Sequence, residues 1–241
     1  MSALRPPADL ALHPIYQVVN TLPRVWPFKH LVIEEFLPPE LFAAVMAAPV
    51  EAVLQQRNAG PELDHSPEIN RFVIHIHKAT DLEQHGLSAL VRLKETLLDS
   101  NFIKLVINKF KDDIEKRVST VNLNWHTGIE YIEDRSGYAL APHTDTQQKL
   151  VTILIYLADP GADPTLGTSL YTITEFGAMP ATFRDNSRLP RNAFSRVLTI
   201  PYKPNTALIF SPGSNTFHGV EPVSTPGTTR RVLQFQINLE S

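Results

Sequence analysis

Beyond about residue 120 the chain changes texture, and this change limits its fold more than any other feature. Six short apolar or alternating stretches follow one another, at 121–132, 149–157, 168–174, 196–201, 207–211 and 231–239. Gly, Pro, Asp and Asn separate them, and each has the length and residue types of a strand. Ahead of them the apolar spacing is mostly helical. Helices first and short strands later is the α+β pattern, and the strand half has about the size of a double-sheet jelly roll. With 241 residues, the expectation is a single domain over 1–241, with a helical N-terminal part over about 1–118 and a β core over about 119–241. No internal repeat or low-complexity segment interrupts it.

The first half reads as follows. Residues 1–24 are broken by proline and weakly periodic, which predicts an extended arm. Residues 28–36 alternate and then run apolar, a short strand. Pro38-Pro39-Glu40 opens a helix, because proline fits the first turn and a carboxylate there favours the dipole. Leu41, Phe42, Val45 and Met46 share its apolar face, and Pro49 ends it. Residues 55–70 are polar and turn-rich, a loop. Residues 71–77 alternate as a half-buried strand, with Phe72, Ile74 and Ile76 on one side. Thr80-Asp81-Leu82-Glu83 has the form of a capping box and predicts a helix start, with Leu90, Leu93, Leu97 and Leu98 along its stripe. A second helix over 101–117 uses Phe102, Leu105, Val106, Phe110 and Ile114, and carries Lys116 and Arg117 at its end.

Composition removes several function classes. The formal net charge is −3, so no global electrostatic case exists for nucleic acid. There are no cysteines, which excludes disulfides, thiolate zinc sites and a cysteine nucleophile together. Any metal must then be held by nitrogen and oxygen. The lack of cysteine accords with a reducing compartment, and a cytoplasmic protein is the expectation. The opening Met1-Ser2-Ala3-Leu4-Arg5-Pro6-Pro7 lacks an apolar core, so no signal peptide is predicted. No apolar run reaches the ~18 residues of a membrane span. The sequence does not indicate the oligomeric state.

The chemistry gathers at Ala141-Pro142-His143-Thr144-Asp145-Thr146. A His and an Asp two apart on an extended chain project to the same side. Alone, such a pair is also what a surface turn would show. Together they supply two thirds of a 2-His-1-carboxylate triad, the open arrangement that suits non-haem Fe(II). His218, in a polar turn after the apolar strand 207–211, is the natural third ligand; its plain alternative is a solvent-facing loop histidine. Arg230 and Arg231 open the last strand. Arginine can grip a carboxylate through two parallel charge-assisted hydrogen bonds, or simply guard a strand end.

On these residues the chain resembles the Fe(II)- and 2-oxoglutarate-dependent dioxygenases, and most closely their prolyl-hydroxylase-like branch. The matching pieces are Pro142-His143-Thr144-Asp145, the apolar strand from Lys149 to Leu157, Leu166-Gly167-Thr168-Ser169-Leu170-Tyr171, Asn205-Thr206-Ala207-Leu208-Ile209-Phe210, His218-Gly219-Val220-Glu221-Pro222-Val223 and Arg230-Arg231-Val232-Leu233-Gln234. Pro27-Phe28 through Leu41 also looks like the opening of many such enzymes. The likeness covers most of 25–240. One departure is Leu166-Gly167 where the family has Gly-Gly.

The resemblance implies a double-stranded β-helix (jelly-roll, cupin-like) core with supporting N-terminal helices. It implies His143, Asp145 and His218 as iron ligands. Fe(II), 2-oxoglutarate as co-substrate, and O2 follow from it. So does hydroxylation of a C–H bond in a small molecule or peptide, with release of succinate and CO2. It also implies a basic residue on the last strand for the distal carboxylate of 2-oxoglutarate. Residues 230, 232, 234 and 236 share one face, and the other bears Leu233, Phe235 and Ile237, suited to packing on helices. The polar face and the family pattern favour Arg230, with Arg231 the alternative. Tyr156, on the face of Thr152 and Leu154, matches a tyrosine that helps hold the same carboxylate in relatives; a core tyrosine is the other reading. The carboxylate Asp145 argues for hydroxylation over halogenation, since the related halogenases replace it with a small residue.

Two rivals share the scaffold. A cupin-like metal- or ligand-binding module would need no carboxylate grip on the last strand. A zinc hydrolase or isomerase could use the same nitrogen and oxygen ligands. The segment 175–204, with Arg184, Arg188, Arg191 and Arg196, is either a solvated loop or a lid selecting an anionic or polar substrate. His75 and His77 form a His-x-His on a strand and are assigned no role.

Overall fold

The structure, a computed structural model, describes residues 9–57, 70–119, 123–174 and 191–240. Among these, five α-helices accompany two antiparallel sheets. The helices are α1 (Leu12–Asn20), α2 (Pro39–Met46), α3 (Ser88–Leu97), α4 (Ser100–Lys109) and α5 (Lys111–Glu115). The strands are β1 (His30–Ile33), β2 (Gln55–Gln56), β3 (Arg71–His75), β4 (Trp125–Arg135), β5 (Leu140–His143), β6 (Lys149–Tyr156), β7 (Thr168–Ile173), β8 (Phe194–Thr199), β9 (Thr206–Phe210), β10 (His218–Val220) and β11 (Thr229–Leu239). The larger sheet runs β1-β9-β6-β11-β4-β3-β2, and the smaller runs β5-β10-β7-β8.

Strand alternation sorts β11 as its sequence predicts. Leu233, Phe235 and Ile237 pack in the core that the helices build with Leu41, Leu90, Phe102 and Val106. The opposite face of the larger sheet, with Val232, Leu154, Tyr156, Leu208 and Phe210, packs on Leu170 and Val220 of the smaller sheet. This second core lies between the sheets, and the candidate site opens from it. Each fully buried side chain of this size contributes on the order of 2 kcal/mol through the hydrophobic effect.

The N-terminal half differs from expectation in four places, one being the short β2 at 55–56 within the predicted 55–70 loop, of which 58–69 lie outside the described residues. Residues 12–20 are a helix rather than part of an extended arm. Asp9 starts it by accepting from the backbone N–H of Ala11 and Leu12, both at 2.9 Å, and Pro14 falls in the tolerant first turn. The motif at 80–83 starts only a 3-10 turn, Leu82–His85, with no side-chain cap from Asp81. Gly86, at φ +74°, ends that turn, and α3 begins two residues later. The helix over 101–117 is two helices, parted at Phe110, whose φ of −112° breaks the ladder. In the strand half, β5 and β10 are additional short strands. The predicted 121–132 strand lies three or four residues further on, as β4. No helix among the described residues is long and apolar enough to cross a membrane.

Candidate metal centre

β5 and β10 pair antiparallel, with His143 directly opposite His218. Their rings lie 4.4 Å apart between centroids. Close strand approach makes this possible at Gly219: a Cβ there would sit 2.5 Å from the carbonyl oxygen of Leu140. Asp145 lies in the connection from β5 to β6, and its Oδ2 is 3.9 Å from His218 Nε2. One ligand atom from each of His143, Asp145 and His218 lies within 4.8 Å of the others. The three predicted ligands therefore converge on one point.

The donor atoms suit a divalent cation. His143 Nδ1 donates to Ala141 O at 3.0 Å, and His218 Nδ1 donates to Thr216 O at 3.1 Å. With Nδ1 protonated in each ring, Nε2 keeps its lone pair for a metal. Burial, followed by the neighbouring His218, pushes His143 down to about 3. Burial also lowers His218. Burial alone would raise Asp145, but Lys149 and the two imidazoles hold its carboxyl well below the usual range. At neutral pH the site therefore presents two neutral imidazoles and one carboxylate.

Two residues that sequence reasoning gave no role orient that carboxylate. Lys149 Nζ is 2.6 Å from Asp145 Oδ1, and Thr152 Oγ1 donates to Oδ2 at 2.7 Å. Their signal was present in the spacing, since both stand at the start of the strand that follows the His-x-Asp.

Arg230 also points between the sheets. It is 2% exposed. Its Nε donates to Leu166 O at 2.6 Å, its Nη2 to Thr168 Oγ1 at 3.4 Å and its Nη1 to Asp134 Oδ2 at 2.8 Å. Tyr156 sits beside it, fully buried, and its Oη accepts from the Thr168 N–H at 3.0 Å. Arg231 points elsewhere and pairs with the exposed Asp159 at 2.5 Å. Asp134 also accepts two hydrogen bonds from Arg71, at 2.6 and 3.0 Å. One buried carboxylate thus stands between two guanidiniums, leaving one formal positive charge over. Asp134 was legible in principle: Glu130, Ile132 and Asp134 share a strand face with Arg230 opposite, and a carboxylate on an inner face needs a partner.

His75 faces Glu130 at 2.9 Å and belongs to no potential metal cluster among the described residues. Of the arginines at 184, 188, 191 and 196, the first two lie outside the described residues, as does most of the proposed lid. Arg196 is exposed on β8, 3.8 Å from Glu221.

No protein-family model matches the chain, and no curated protein matches it in sequence. Solved structures do match in fold. A prolyl hydroxylase from Trichoplax adhaerens, in complex with a hypoxia inducible factor peptide fragment, aligns at TM-score 0.53 and 13% identity over 96% of this chain and 88% of its own. The non-haem alpha-ketoglutarate-dependent epimerase SnoN from nogalamycin biosynthesis aligns at 0.55 and 13% over 93% and 82%. AviO1 from Streptomyces viridochromogenes Tue57 aligns at 0.53 and 13% over 97% and 96%. The chain has the fold these proteins share.

Proposed function

We propose that the chain is an Fe(II)- and 2-oxoglutarate-dependent dioxygenase, a single domain on a double-stranded β-helix. It hydroxylates a C–H bond of a small molecule or a peptide and releases succinate and CO2. The observation that carries this reading is the convergence of His143, Asp145 and His218 within 4.8 Å. Two neutral imidazoles and a carboxylate on one side of a metal are the facial triad suited to non-haem Fe(II). Fe(II) held there would supply open coordination positions for 2-oxoglutarate and O2, with O2 as the oxidant of both 2-oxoglutarate and the C–H bond.

The chain's own residues supply binding, orientation and a dry setting. Arg230 is the grip for the distal carboxylate of 2-oxoglutarate, and Tyr156 and Thr168 flank it. The spacing supports this. His218 is paired with Leu170, and Val220 with Thr168. Thr168, which Arg230 contacts, lies two residues along β7 from Leu170, the strand partner of His218, so the grip and the triad face the same stretch of the smaller sheet. The leftover positive charge at Arg71, Asp134 and Arg230 favours an anion in the same place. A cupin-like binding module has no use for that charge, which is why it ranks second. The neighbours in fold include a prolyl hydroxylase seen with a peptide and an epimerase of nogalamycin biosynthesis. Both substrate kinds therefore stay within the proposal.

The test is O2-dependent conversion of 2-oxoglutarate to succinate by the Fe(II)-loaded protein. Turnover that needs both Fe(II) and O2, and that disappears in His143→Ala and Asp145→Ala, is expected. A folded, metal-loaded protein that never makes succinate, with or without candidate substrates, would refute it.

A further inference from the structure

Asp145 lies in the connection from β5 to β6 and His218 at the end of the connection from β9 to β10, which begins at Ser211, and one side chain outside both ties the two connections together. Arg117, just past the end of α5, reaches both. Its Nη1 donates to Gln147 O at 3.1 Å, and its Nη2 donates to Lys149 O at 3.3 Å and to Ser211 Oγ at 3.1 Å. Ser211 Oγ in turn donates to Leu150 O at 2.8 Å. The backbone N–H of Leu239 donates to Gln148 O at 2.6 Å. Four consecutive carbonyls, Gln147 to Leu150, are therefore taken up by groups from outside their own connection, two of them by Arg117 directly and a third through Ser211.

We infer that Arg117 is a positioning residue for the metal centre: it clamps the Asp145 connection to the start of the His218 connection. The inference rests on the metal-site reading above and adds a residue to it. The physical reason is leverage. Lys149 gives its carbonyl to Arg117 and its ammonium to Asp145 Oδ1, at 2.6 Å. Holding the Lys149 backbone fixes where that ammonium sits, and so which carboxylate oxygen faces His218. A planar guanidinium with donors in a fixed fork can bridge two carbonyls and a hydroxyl at once, whereas an ammonium on a flexible stem cannot hold the same three. At the end of a helix Arg117 would ordinarily be read as a solvated cation complementing the dipole. Its hydrogen bonds instead lead to the site.

The experiment compares wild type, Arg117→Ala, Arg117→Lys and Ser211→Ala as full-length metal-free protein. Co(II) and Mn(II) affinity are measured, together with the visible absorption of bound Co(II), which reports ligand geometry. Loss of a partner that orients a ligand typically costs about 10–100-fold in metal affinity. Arg117→Ala is expected to fall in that range, with an altered Co(II) spectrum at saturation. Arg117→Lys should recover part of the affinity, and Ser211→Ala should lose less than Arg117→Ala. Wild-type affinity and an unchanged spectrum in Arg117→Ala would overturn the inference.

A second readout, amide hydrogen exchange of residues 144–150 and 213–218 without metal, separates the clamp from the function. If wild type binds no metal, the function proposal falls, and the clamp is judged on exchange alone. Faster exchange in both segments of Arg117→Ala, with other strands unchanged, supports it. Exchange equal to wild type, or raised evenly throughout the protein, overturns it. Ser211→Ala keeps the guanidinium in place and supplies the same exchange comparison should Arg117→Ala fail to fold.

Discussion

Arg230 and Asp134 stand directly opposite each other on β11 and β4, and the arginine's Nη1 donates a 2.8 Å hydrogen bond to an aspartate oxygen that has no solvent exposure. The aspartate holds the guanidinium extended across the space between the sheets, where its remaining donors face Leu166 and Thr168. Arg230→Ala should therefore weaken 2-oxoglutarate binding by about 10–100-fold, the equivalent of one or two charge-assisted hydrogen bonds, and leave metal affinity near wild type. Calorimetric titration of both ligands checks this. Equal loss of metal and 2-oxoglutarate binding would mean that Arg230 supports the fold rather than the carboxylate.

Asp134 carries a different expectation. With the carboxylate gone, Arg71 and Arg230 face each other with no counter-charge between them. Asp134→Asn should cost about 3–5 kcal/mol, as expected when one member of a buried ion cluster is removed. Urea unfolding measures it. A loss under about 1 kcal/mol would show that water screens the two guanidiniums.

Two glycines separate stability from site geometry. A Cβ at Gly167 would lie 1.6 Å from Ile200 O, and one at Gly219 would lie 2.5 Å from Leu140 O. Both obstacles are backbone, so neither can swing away. Gly167→Ala is expected to give little or no folded protein. Gly219→Ala pushes β10 from β5 and so moves His218 from His143. It should lose metal affinity by more than its loss of stability explains. Metal titration of the folded fraction decides this, and wild-type affinity there would contradict the account.

His30 offers a pH signature apart from the ligands. It is fully buried on β1, its Nδ1 donates to Phe28 O at 2.8 Å, and its Nε2 has no hydrogen-bond partner among the described residues. Burial, the largest cause, lowers its pKa below the usual value of 6.5. The unfolded chain then binds the extra proton first as pH falls. Stability is fully present above about pH 6.5 and is lost as pH drops below it. His30→Phe should unfold with a shallower dependence between pH 7 and 5 than wild type. Identical slopes would show that His30 gains a proton without penalty in the folded protein.

Much of this was legible in the sequence, for physical reasons that also mark where legibility stops. The two faces of β11 could be told apart because Leu233, Phe235 and Ile237 alternate with Arg230, Gln234 and Gln236. His143, Asp145 and His218 could be nominated together because the chain resembles a family with that ligand set, whereas the His-x-Asp spacing alone would also suit a surface turn. α1 was missed because Pro14 interrupts its apolar period, although a proline in a first turn does no harm. The motif at 80–83 misled because Gly86 stops the chain before a full helical turn can follow. β5 and β10 span four and three residues, too few to show a period. The reach of Arg117 to Gln147, Lys149 and Ser211 depends on long-range packing that no local pattern records.

The most direct test of the central claim is an anaerobic titration of metal-free protein with Fe(II) and then 2-oxoglutarate, followed by visible absorption. The account expects a weak charge-transfer band on adding 2-oxoglutarate, absent in His143→Ala and requiring higher 2-oxoglutarate in Arg230→Ala. A folded protein that binds Fe(II) at His143, Asp145 and His218 yet gives no band at saturating 2-oxoglutarate would contradict it, and would leave a metal-binding module on an oxygenase scaffold.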